Sequence, residues 1–192
     1  MTKKINEAPF LKFPVLKSKR LTMRPIERSD APQIFDMQTD DLVLRYIAKK
    51  KPESLEEVEA LIQYISEAYE KQEMLCWAAV IRDGDKIIGT CGFNRIEKEN
   101  LRAEIGGALS PRYWGVGVAY EAVKQIVDYG FDELGLHTIE AKVDSGNRSA
   151  VFLLEQLGFV REGHFKDRMY FEGVFYDMDI YTKFRDSKNR LY

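Results

Sequence analysis

Apolar positions change period several times along this chain, and each change marks an element. LTMRPI at 21–26 alternates apolar and polar residues and predicts a first strand. Asp30 stands where an N-cap is expected, and Pro32 suits the first turn of a helix that carries Ile34 and Phe35. Ser54 and Glu57 have the spacing of a capping box. Behind them Val58, Leu61, Ile62, Ile65 and Tyr69 recur at helical spacing, which predicts a helix over 54–72. The period then shortens. LCWAAVI (75–81), the turn RDGDK (82–86) and IIGTCGF (87–93) predict a hairpin, and LRAEIGGALS (101–110) a further strand.

The second half returns to longer periods. Ala119, Ala122, Val123, Ile126, Val127 and Gly130 share one face of a helix that follows a glycine-containing loop. HTIEAKVD (137–144) reads as a buried strand. A helix follows from about Asn147 to Leu157, and Gly158 occupies the position that favours a left-handed stop. From Phe159 to about Phe184 the pattern is two strands about a turn at Glu172–Gly173. Antiparallel strands, a strand–helix–strand crossover, a helix and a closing hairpin make an α/β or α+β sandwich.

Composition narrows the class. At 192 residues, 45% hydrophobic and 31% charged, the chain has the length and balance of one globular domain. Its apolar runs are far shorter than the ~20 residues that cross a bilayer. The start, MTKKINEAPFLKFPVL, is broken by Pro9 and Pro14 and lacks a secretory apolar region, so a cytoplasmic protein with no membrane association is expected. Cys76 and Cys91 lie inside apolar strand-like runs and read as small buried hydrophobes. His137 and His164 form no Cys/His cluster, so no metal is expected. A net charge of −2 with both signs interspersed argues against nucleic acid as the partner.

Candidate chemistry concentrates between Glu104 and Phe131. Alternation puts Glu104, Gly106, Ala108 and Ser110 on one face of the strand ending at Ser110. That face is almost bare beyond Glu104, so an extended ligand or another backbone can approach it. Gly106–Gly107 suits a β-bulge. Pro111 ends the ladder, and Arg112 to Gly117 reads R-x-x-G-x-G at the start of a helix. Unhindered backbone N–H groups at a helix N-terminus hold pyrophosphate. The same six residues also suit a tight turn joining strand to helix. Trp114 is expected to pack under the turn, and Arg112 either reaches a phosphate or is solvated.

The whole arrangement resembles the GNAT superfamily of acyl-CoA-dependent N-acetyltransferases, and within it the RimJ/RimL-like branch of ribosomal-protein N-terminal acetyltransferases. The resemblance is carried by SKRLTMRPIERSDA, IIGTCGF, AEIGGALSPRYWGVGVAYEAV, IEAKVDSGNRSAVFLLEQLGF and EGVFYDMDIYTKF. It implies one N-acetyltransferase domain over 20–185, with an N-terminal extension (1–19) and a C-terminal tail (186–192). It implies a mixed, mostly antiparallel, splayed sheet of about seven strands flanked by helices, with acetyl-CoA in the opening between 101–110 and 137–144. Backbone groups of Ala108, Leu109 and Ser110 would pair with pantetheine. The N–H groups of Tyr113, Trp114, Gly115, Val116, Gly117, Val118 and Ala119 would hold the pyrophosphate, and Asn147 would hydrogen-bond near the pantetheine arm. The implied reaction is direct attack of a primary amine on the thioester in a ternary complex.

The amine must be neutral to attack. An α-amino group is roughly 10% neutral at pH 7, whereas a lysine is neutral roughly once in a few thousand. A protein N-terminus therefore needs only a proton acceptor, and Glu104 is the candidate. Equally, Glu104 reads as a surface or salt-bridged strand residue. Three positions depart from the family pattern: Leu154 replaces a tyrosine acid, Ala150 a serine (with Ser149 one place earlier), and Lys142 a glutamate. The resemblance sets the closing hairpin, with His164, Tyr170, Tyr176 and Asp177, beside the acceptor groove, Asp177 in a structural role. Residues 44–54 would form the opposite wall, their three lysines a solvated loop. The acceptor is a peptide N-terminus or a small-molecule amine such as an antibiotic, in a monomer or homodimer. The missing acids leave a non-catalytic acyl-CoA-binding module as the rival class.

Overall fold

The computed structural model describes residues 4–82, 84 and 86–185. The expected tail at 186–192 lies outside them. One eight-stranded sheet forms the middle layer, in the order β1-β2-β3-β4-β5-β6-β8-β7. Its strands are β1 (Leu16–Lys17), β2 (Leu21–Pro25), β3 (Leu75–Ile81), β4 (Ile87–Glu97), β5 (Arg102–Leu109), β6 (Thr138–Asp144), β7 (Val160–Phe171) and β8 (Val174–Phe184). The strand beyond the seven anticipated is β1, whose two residues pair with Thr22 and Met23. All neighbours are antiparallel except β5 and β6.

Helices cover both faces, with two of a single turn, α1 (Ala8–Leu11) and α3 (Asp41–Leu44), before and between the longer ones. On one, Ala31, Ile34 and Met37 of α2 (Ala31–Thr39) and Val58 and Ile62 of α4 (Leu55–Glu70) pack against Ala78, Val80 and Ile87. On the other, Ile126 and Val127 of α5 (Val118–Asp132) and Leu154 of α6 (Arg148–Gln156) close over Trp77, Phe93, Ile105, Ile139 and Tyr181. With both faces covered, six of the seven residues of β3 are buried, which is why that strand reads as an unbroken apolar run. Ile5 is buried in the second core and the Trp77 indole donates to the Pro14 carbonyl at 2.7 Å, so the segment before β1 packs onto the sheet. Among the described residues no helix is long and apolar enough to cross a membrane.

Three local expectations change. Asp30 does not cap α2 with its side chain. Its buried carboxylate takes two bonds from the Arg24 guanidinium, at 2.8 and 2.7 Å, and one from the Glu27 N–H. Ser54 makes no side-chain cap either; Glu57 accepts from the Glu53 N–H instead. The bulge expected at Gly106–Gly107 lies on β4, where Asn94 is the extra residue between the Phe93–Ile105 and Arg95–Glu104 pairs. The glycine still has a purpose, because a Cβ at Gly106 would stand 2.3 Å from the Asn94 side-chain nitrogen.

Candidate active site

The sheet opens between β5 and β6. They pair in parallel only through Arg102–Thr138, Ala103–Ile139 and Glu104–Glu140. β5 runs five residues further and β6 four, each without the other. On its other side β5 stays bonded to β4, and Ser110 N–H donates to the Ile88 carbonyl at 2.8 Å. Antiparallel alternation then turns the N–H and C=O of Gly107 and Leu109 toward the open edge, and those of Ala108 and Ser110 toward β4.

Glu104 sits at the throat of this opening. Its Oε2 lies 2.6 Å from Lys142 Nζ, both side chains partly exposed. The pair ends a charge network across three strands: Glu97 Oε2 to Arg102 at 2.7 Å, Arg102 to Glu140 at 3.9 Å, and Glu140 to Lys142 at 3.8 Å. These residues and Arg95 line a polar cavity of ≈ 60 Å³, room for water among partners that can bond it.

At the wide end of the opening, Pro111–Tyr113 form a short 3-10 turn. The Tyr113 and Trp114 N–H groups close it on the Ser110 and Pro111 carbonyls. The N–H groups of residues 115–119 follow at the start of α5, where a helix has no internal acceptors for its first donors. Gly115 and Gly117 both have positive φ, 74° and 79°, and Gly115 faces open space. Trp114 does not pack under the turn. It is half exposed, and its indole N–H donates to the Leu109 carbonyl at 2.8 Å, tying the turn to the end of β5.

Asn147 is the N-cap of α6, with its Oδ1 accepting from the Ala150 N–H at 3.1 Å. Leu154 is buried in the core and carries no acid function. The closing hairpin is held to the turn after β6 by a polar cluster. His164 Nδ1 lies 2.7 Å from the buried Asp179, with Ser145 Oγ and Arg161 close by. Burial alone would raise the Asp179 carboxyl. The His164 and Ser145 hydrogen bonds and the Arg161 charge outweigh it and hold that carboxyl below its usual range. Asp177 accepts from the Asp167 N–H at 2.9 Å inside an irregular stretch of β7.

A larger groove, ≈ 570 Å³, lies between the segment 41–53 and the hairpin residues Phe171, Glu172 and Tyr176. Arg45, Lys49, Lys50 and Lys51 line it with Asp41, Glu53 and Glu172, and Lys51 is paired to Asp41 at 2.5 Å. Tyr46 connects the groove to the β6 end of the opening. Its ring edge is 3.6 Å from where a Cβ on Gly146 would stand.

Sequence reasoning missed one functional-looking contact, the clamp of Ser18 and Arg20 on Glu121. A carboxylate one turn into a helix whose neighbours are apolar was the available signal. Cys76 behaves as expected, since burial pushes its thiol up to about 12. Cys91 is only half-buried by surface, yet its thiol is likewise pushed up to about 12 by desolvation. Among the described residues no cluster of His, Cys, Asp and Glu has the make-up of a metal site.

Comparison with known proteins agrees with this geometry. Residues 20–160 match the family model described as "Acetyltransferase (GNAT) domain". The chain is 36% identical over 170 residues to the uncharacterized N-acetyltransferase YoaA of Bacillus subtilis, covering 88% of this chain and 96% of that protein. It is 30% identical over 161 residues to a spermidine N(1)-acetyltransferase of Vibrio cholerae, covering 83% and 90%. Its fold superposes on the ribosomal L7/L12 α-N-protein acetyltransferase RimL, solved with coenzyme A, with a TM-score of 0.83 at 18% identity, covering 90% and 99%. The family match spans most of the chain, and this protein belongs to the GNAT acetyltransferases as an N-acetyltransferase.

Proposed function

We propose that this enzyme transfers the acetyl group of acetyl-CoA to a primary amine by direct attack, within a catalytic domain over residues 20–185. The single observation behind this reading is the alignment of three features along one opening. These are donors at the start of α5, an unpaired β5 edge, and a carboxylate at the throat. Acetyl-CoA supplies an activated thioester, whose thiolate is a tolerable leaving group without a dedicated acid.

The residues divide the work by chemistry. N–H groups of residues 115–119 hold the diphosphate, with Tyr113 and Trp114 shaping the turn before them. The open-edge groups of β5, those of Gly107 and the Leu109 N–H, align the pantetheine arm as an added strand would be aligned, whereas Ala108 and Ser110 turn their backbone groups to β4. Asn147 caps α6 beside that arm. Glu104 takes the amine proton, directly or through water in the polar cavity next to it. The Lys142 ammonium keeps that carboxylate oriented.

We infer that the acceptor is a peptide N-terminus. One chemical argument and one observation support this. The α-amine needs little help to lose its proton at neutral pH. The groove beside Tyr46 has cations as four of its seven charged side chains, a poor seat for a polyamine. The likeness to a spermidine acetyltransferase supports the second reading, a small-molecule amine. A thiol-release assay with acetyl-CoA over N-terminal peptides, lysine peptides and polyamines tests the proposal. Turnover is expected with free α-amines. Coenzyme A binding with no turnover on any amine would refute it.

A further inference from the structure

Glu121 lies one turn into α5, close behind the turn assigned to the diphosphate, and its side chain is 17% exposed. An uncompensated carboxylate there would repel the ligand. Three donors from the chain just before β2 converge on it. They are Ser18 Oγ at 2.5 Å, the Arg20 backbone N–H at 2.8 Å and Arg20 Nε at 2.6 Å. Burial would raise the Glu121 carboxyl, but these bonds and the Arg20 charge outweigh it and hold it below its usual range. The carboxylate stays ionised and its charge is matched.

The same guanidinium continues into the loop. Arg20 Nη1 donates to the Val116 carbonyl at 2.6 Å. Its Nη2 stands 3.4 Å from where a Cβ on Gly117 would be. A planar trans peptide directs C=O and N–H oppositely. With the Val116 carbonyl held toward Arg20, the Gly117 N–H points away from the guanidinium, to the other side of the turn. The Gly117 carbonyl is in turn engaged by the Glu121 N–H at 3.3 Å. Arg20 thus joins the orientation of one loop peptide to the charge balance of the first helical turn.

We propose that Arg20 is a positioning residue for the cosubstrate, buttressing the diphosphate turn from behind through Val116 and Glu121. This rests on the assignment of residues 115–119 to the diphosphate. Only a rigid, planar donor array makes the two contacts at once, so lysine is a partial replacement.

The test uses two acyl donors and two variants. Acetyl-CoA carries the diphosphate; S-acetylpantetheine presents the same thioester without it. Arg20→Gln is expected to weaken coenzyme A binding by about tenfold or more in calorimetry, the scale of a lost charged hydrogen bond. It should lower kcat/KM for acetyl-CoA accordingly and leave kcat/KM for S-acetylpantetheine unchanged. Arg20→Lys should fall between and serves if the glutamine variant does not fold. Unchanged coenzyme A affinity, or an equal loss with both donors, would overturn the role of Arg20 alone. Wild-type protein that binds no coenzyme A would remove the turn assignment, and this inference with it.

Discussion

Lys142 Nζ stands 2.6 Å from Glu104 Oε2, just where backbone pairing between β5 and β6 ends. The pair closes the narrow end of the opening with side chains after the ladder has stopped. Both partners are partly exposed, so its worth to stability is under about 1 kcal/mol. Its value is to hold a carboxylate in one place.

Glu104→Gln is therefore expected to lower kcat/KM by about 10²-fold or more, the scale of a lost general base. Coenzyme A affinity should not change. Lys142→Met should cost less, because it loosens the carboxylate without removing it. Steady-state kinetics across pH provide the check, and wild-type rates in the glutamine variant would remove the assignment.

Two glycines in one segment should respond in opposite ways. Gly117 has φ 79°, a region that costs a side-chain-bearing residue about 1–2 kcal/mol and a β-branched one more. Gly117→Val should abolish coenzyme A binding while the protein stays folded. Gly130 lies inside α5, and a Cβ there would meet Phe93 Cζ at 2.6 Å. Alanine improves helix propensity by about 1 kcal/mol, but overpacking costs about 1–3 kcal/mol and should win. Gly130→Ala is thus expected to lower Tm by several degrees with coenzyme A affinity intact. Paired melting and titration experiments separate the two.

The groove's excess of one cation over its three carboxylates predicts the order of acceptors. Peptides with acidic residues after the N-terminus should be used faster than basic ones, and spermidine poorly. The preference should shrink as salt rises, because the groove cations Arg45, Lys49, Lys50 and Lys51 are solvent-exposed. Lys49→Glu combined with Lys50→Glu should narrow or reverse it. A spermidine rate equal to that of acidic peptides would point to the small-molecule reading.

Acid should loosen the protein through two carboxylates. Asp179 and Glu121 are both held below their ordinary values in the fold. Their contribution is complete above the unfolded values of about 3.9 and 4.3, and is lost as pH falls through the lower folded values. Denaturant unfolding from pH 7 to pH 3 should show stability falling below about pH 4. Asp179→Asn should flatten part of that slope.

The glycine turn, the long helices and the placing of strands along the chain were legible because each rests on neighbours in sequence. Gly115 and Gly117 do adopt positive φ, and Gly158 ends α6 as expected. Side-chain destinations were not. Asp30 looked like a cap, yet Arg24 competes for its carboxylate from the adjacent strand. Gly106 looked like a bulge, whereas its missing Cβ makes room for Asn94 on the next strand. The Lys142–Glu104 pair depends on parallel register, and the Arg20 clamp joins positions about a hundred residues apart. Local periodicity carries neither.

Coenzyme A is proposed to lie in the β5–β6 opening with its diphosphate on the turn before α5. A crystal structure with coenzyme A bound tests it most directly. Diphosphate oxygens are expected within hydrogen-bond distance of N–H groups in residues 115–119, and the sulfur near the Glu104 end of the opening. A diphosphate bound elsewhere, or a sulfur pointing away from Glu104, would contradict it.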